Sequence, residues 1–120
     1  AMNIENMLQG YLACALWAST DEDGAPLDEG YSVEDFSPAA RCKARDECVS
    51  FIALCEGEGL AIDAIAPEQF GHDLWLTRNG HGAGFWDRGL GALGETLTKW
   101  AKAAGTCDVI ETDTNELSLS

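Results

Sequence analysis

Three stretches of this chain carry apolar side chains on one side only, and that pattern restricts the fold more than any other feature. Ile4, Met7, Leu8, Tyr11, Leu12 and Ala15 recur at helical spacing across 4–18. Cys48, Phe51, Ile52 and Cys55 do the same in a second stretch, and Leu90, Leu93, Leu97, Trp100, Ala101 and Ala104 in a third. A one-sided stripe must be buried against another layer, so the three helices need a shared core. Capping residues mark their ends. Asn3 precedes the first stripe, and Ser37-Pro38 opens the second with a favoured cap and a proline at the first helical position. Gly57 or Gly59 closes the second and Gly105 the third. Ser32 and Asp35 have the spacing of a capping box around one isolated turn.

Between these helices the periodicity changes. Residues 19–31, STDEDGAPLDEGY, read as a loop, and Pro67 to Phe70 as a short turn. Leu74 and Leu76 leading into Asn79-Gly80 predict a strand and a tight turn, with Ala83 to Trp86 returning. Cys107 to Thr112 and Glu116 to Leu119 predict a closing hairpin around Asp113-Thr114-Asn115. The expected fold is α+β: three main helices packed on a small, mostly antiparallel four-stranded sheet. Leu8, Leu12, Phe51, Ile52, Leu74, Leu76, Leu93, Leu97 and Trp100 are expected in the core. At 120 residues the chain 1–120 should form a single domain.

The charge is segregated. Residues 1–40 hold eight acids and no base, and residues 106–120 hold four acids and no base. The middle, 41–105, holds nine acids and seven bases. The two ends therefore carry −12 of a net −14. Such a chain is not expected to bind a phosphate backbone or anionic lipid directly, because both rest on Lys and Arg. No apolar run is long enough to span a bilayer. The first residues lack a basic region, and Ala1-Met2 reads as a remnant ahead of the native start, so no export signal is expected. Five cysteines, an odd number without C-x-x-C spacing, are expected to be free thiols in a bacterial cytoplasm.

Residues 71–89 read Gly-His-Asp-Leu-Trp-Leu-Thr-Arg-Asn-Gly-His-Gly-Ala-Gly-Phe-Trp-Asp-Arg-Gly. This segment resembles a group of small acidic proteins of phages and bacterial mobile elements that share a GHDxWLTRNGHGxGFWDRG-like hairpin. The likeness extends loosely to Ala15 to Asp23. It implies a phage-like context and a globular α+β domain, and it carries over no catalytic residues. On the residues themselves, His72, Asp73, Arg78, Asn79, His81, Trp86 and Asp87 gather polar and aromatic groups of the kind a ligand pocket uses. Residues of these types also serve turns by bonding local backbone. Two histidines with eight residues between them match no zinc spacing, so no metal is expected. Gly89 to Gly94 fit G-x-G-x-x-G, but too little chain follows for a dinucleotide fold, and no cofactor is expected.

Two functions compete. The first is a non-enzymatic phage-type accessory protein that binds and inhibits a host protein with a basic surface. Asp21, Glu22, Asp23, Asp28, Glu29, Glu34 and Asp35 would form one exposed acidic face standing in for nucleic acid, with a host-defence complex such as a restriction or CRISPR assembly as the target. The second is a small-ligand-binding or catalytic domain centred on residues 72–88. The first requires the seven acids to share a surface, and the second requires a concave site around His72, His81 and Trp86.

Overall fold

A computed structural model describes residues 2–80 and 83–120. Its four helices are α1 (Ile4–Ala18), α2 (Pro38–Gly57), α3 (Pro67–Arg78) and α4 (Ala92–Ala103). Two short strands, β1 (Val109–Glu111) and β2 (Leu117–Leu119), pair antiparallel with Val109 opposite Leu119. Single 3₁₀ turns lie at Leu27–Glu29, Val33–Asp35 and Phe85–Asp87. The caps work as their residue types require. Asn3 Oδ1 accepts from the Asn6 N–H at 3.0 Å, and Ser37 Oγ accepts from the Ala40 N–H at 3.1 Å. Asp35 accepts from the Ser32 N–H at 2.8 Å, completing the capping box.

The architecture is α+β, as expected, but with four helices and two strands among the described residues rather than three and four. The strand expected at Leu74 and Leu76 is the middle of α3, and the return strand expected over Ala83 to Trp86 overlaps the 3₁₀ turn at Phe85–Asp87. The physical reason is burial all round the second half of the helix. Asp73, Leu74, Trp75, Leu76, Thr77 and Arg78 are consecutive and all buried, so this part of α3 has no solvent face to produce a stripe. Asn79-Gly80 ends this helix instead of turning a hairpin. Gly80 takes φ +70°, the left-handed conformation that both a tight turn and a helix end prefer. The turn's third residue, His81, lies outside the described residues.

α3 runs through the centre of the molecule and packs along α1 with backbone against backbone. A Cβ on Gly71 would sit 2.9 Å from the Tyr11 N and closer still to the Met7 carbonyl oxygen. A Cβ on Gly10 would sit 2.7 Å from the Glu68 Cα. Around this crossing Tyr11 meets Trp75 edge to face at 5.3 Å. Phe51, Phe70 and Phe85 form a second cluster with centroids 5.4–6.0 Å apart. Leu8, Leu12, Phe51, Ile52, Leu74, Leu76 and Leu97 are buried, whereas Leu93 and Trp100 pack only partly against this core. The G-x-G-x-x-G run marks the start of α4. Gly91 precedes Ala92 at φ +62°, and a Cβ on Gly94 would sit 3.0 Å from the Phe85 carbonyl oxygen. β2 ties down the start of α2, with the Ser37 N–H donating to the Leu117 carbonyl at 2.8 Å.

Candidate binding surface

The acidic loop projects from the end of α1. The Leu27 N–H donates to the Ser19 carbonyl at 2.9 Å, and Thr20 pairs with Pro26, so 21–25 close into a tight tip. Asp21 shapes the tip by accepting from the N–H groups of Asp23 at 2.9 Å and Ala25 at 3.0 Å. Glu22, Asp23, Asp28, Glu29 and Glu34 are exposed, while Asp21 and Asp35 are half-buried. None of the seven forms an ion pair with a Lys or Arg among the described residues. Arg41, which lines a depression with Asp28 and Glu34, donates instead to the Val33 carbonyl at 3.0 Å.

The C-terminal hairpin brings its own acids to this loop. Asp21, Glu22 and Asp23 line one depression of about 350 Å³ with Glu111, Thr112 and Asp113. Tyr31 bridges the two segments, its hydroxyl donating to Glu111 Oε2 at 2.9 Å. That hydrogen bond, together with the charges of Glu111, Asp35 and Asp21, holds the phenol above its ordinary value. The two acidic ends of the sequence are thus adjacent in space.

The polar residues of 72–88 do other work. Asp73 is buried and accepts from Arg88 Nη2 at 2.8 Å and Gln69 Nε2 at 2.8 Å. Arg78 is buried and fastens three parts of the molecule. It donates to the Gly105 carbonyl at 2.8 Å and the Ala104 carbonyl at 3.1 Å, closing the end of α4. It also donates to Tyr11 Oη at 2.8 Å and to Glu47, which in turn accepts from the Tyr11 hydroxyl at 2.8 Å. Burial opposes the charge on Arg78, but Tyr11 and Glu47 more than offset it and hold its pKa up. Asn79 accepts from the Cys107 N–H at 2.8 Å and donates to the Trp75 carbonyl at 3.0 Å.

Trp86 is 41 % exposed with Lys102 Nζ 5.5 Å above its ring, and Asp87 is exposed. The His72 ring lies tilted against Trp17, and its Nδ1 lies 3.8 Å from Asp73 Oδ1, too far for a hydrogen bond. A cleft of about 420 Å³ includes Arg78 and one of about 460 Å³ includes Asn79. Neither is lined by His72, Asp73, Trp86 or Asp87.

One surface residue escapes the sequence reading. Trp17 is 60 % exposed at the end of α1, four residues before the acidic tip. Its position off the Ile4–Ala15 stripe is the signal that could have found it.

Cys14, Cys48, Cys55 and Cys107 are buried free thiols and Cys42 is exposed. Burial pushes Cys14 and Cys48 up to about 12 and Cys55 to about 11, from an ordinary 9.0. At pH 8 a thiol reagent should therefore modify Cys42 quickly and the other four only after unfolding. Two or more fast thiols would contradict the burial. The raised values also fix a direction with pH. In the unfolded chain these thiols ionise near 9.0, while the fold keeps them neutral toward 12, so stability should fall as pH rises through that interval. Denaturation midpoints at pH 8 and pH 10 check it.

Comparison with protein-family models, with curated proteins and with solved structures found no match to this chain.

Proposed function

We propose that this chain is a non-enzymatic binding protein whose acidic face occupies the nucleic-acid groove of a basic protein. The observation that carries this reading is the meeting of the two acidic ends around one depression, without a single Lys or Arg in its lining. Carboxylates held by a folded loop and a hairpin can pair with the Arg and Lys side chains that would otherwise hold phosphates. The resemblance to small acidic phage proteins supports a host protein as the target, with a defence complex the fitting class. The rival reading, a ligand site at 72–88, is weakened by the partners of Asp73, Arg78 and Asn79, which already use the groups a ligand would need.

The test is affinity capture from a bacterial lysate at low salt, followed by DNA displacement from each captured protein. A variant with Asp21→Asn, Glu22→Gln and Asp23→Asn keeps the shape and removes three charges. The parent should release labelled DNA from the captured protein, and the variant should need several-fold more protein to do so. It should melt no earlier than the parent, because self-repulsion falls. Equal displacement by both proteins would reduce the acidic face to a solubility device.

A further inference from the structure

Trp17 is an unusual surface residue. An indole is rarely left 60 % exposed in a protein with a core to fill, and where it is exposed it tends to anchor an interface. His72 backs the Trp17 ring with centroids 5.9 Å apart and planes inclined by 32°. The outer face is unoccupied by cations among the described residues, whereas Trp86, the other exposed indole, already carries Lys102. Four residues further along the chain the acidic tip begins at Asp21, so at most about 15 Å separates the two Cα atoms. An exposed indole at the end of α1 that leads into an acidic tip without ion pairs suits a partner whose cations include planar ones.

We infer that Trp17, backed by His72, is the aromatic anchor of the acidic surface and receives an arginine side chain of a basic protein partner. The inference rests on the binding reading above and names the chemistry of the contact. Arginine fits better than lysine, because a guanidinium stacks on a ring and is more weakly hydrated than an ammonium, while other cations of the same partner meet the carboxylates. A second copy of this chain does not fit. Each copy carries −14, and two such surfaces repel.

The probe is a hexa-arginine peptide, compared with hexa-lysine, titrated into the full chain at several salt concentrations. The parent should bind hexa-arginine more tightly than hexa-lysine. Trp17→Ala should remove about threefold of the hexa-arginine affinity and abolish that preference, with the salt dependence unchanged. The side chain is exposed, so this variant should stay folded, as its melting temperature will show. Trp17→Phe should recover part of the loss and Trp86→Ala should change nothing. The triple acidic variant should behave in the opposite way, keeping the arginine preference with a shallower salt dependence. If Trp17→Ala binds both peptides as the parent does, the anchor is overturned while the acidic surface stands. If the triple variant keeps the parental salt dependence, the acidic reading fails whatever Trp17 does. Dimers in sedimentation that vanish in Trp17→Ala would overturn the assignment by giving the anchor to a second copy.

Discussion

Replacing Gly71 by Ala should destabilise the protein by about 3 kcal/mol or leave it unfolded. The added methyl would overlap the α1 backbone at Met7 and Tyr11, and backbone cannot rotate away as a side chain can. Relief requires α1 and α3 to separate, which opens the packing of Tyr11 on Trp75 at the centre of the core. Gly10→Ala should act similarly against Glu68. The control is Gly57→Ala at the end of α2, where nothing lies within 4 Å of the new methyl. That change should be neutral, or stabilising by about 0.5 kcal/mol through lost freedom of the unfolded chain. Urea unfolding of the three variants reads all of this, and parental stability in Gly71→Ala would contradict the crossing.

Arg78→Met should cost about 3 kcal/mol. The substitution keeps much of the volume but strands three sets of partners: the Ala104 and Gly105 carbonyls, the Glu47 carboxylate and the Tyr11 hydroxyl. Glu47 retains some contact with water and with Lys43 at 3.4 Å, which keeps the loss at the lower end for a broken buried pair. Arg78→Lys keeps the charge but cannot reach three elements with one ammonium, and should cost about 2 kcal/mol. The same variants weigh the two functional readings. If Arg78→Met is as stable as the parent and yet abolishes a binding activity, the residue belongs to a ligand site and the fastening role is wrong.

These two residues also show what the sequence could convey. Helix ends were legible because each depends on one or two local residues. Asn3, Ser37-Pro38, Gly105 and the Ser32–Asp35 box all act in the structure as their types suggest. α3 was not legible, for two reasons. Its polar residues Asp73, Thr77 and Arg78 are buried among apolar ones, which erases the stripe. Asn79-Gly80 is also an ambiguous signal, since hairpin turns and helix ends both favour glycine at positive φ. The closing hairpin was legible from its own turn residues, with Asn115 at φ +60°. The acidity of each terminus could be counted. Their meeting could not, because it depends on long-range contacts such as the Tyr31–Glu111 hydrogen bond across 80 residues.

On the proposed function, the acidic face makes the contact with a basic partner. The most direct test is the association rate with a captured partner, measured across salt concentration for the parent and for the Asp21→Asn, Glu22→Gln, Asp23→Asn variant. Exposed charges act through water and are screened beyond about 8 Å at physiological salt. The parental rate should therefore fall steeply as salt rises, with the melting temperature unmoved. The variant should associate more slowly at low salt and show a shallower slope, and the two curves should converge at high salt. Superimposable curves would contradict the account.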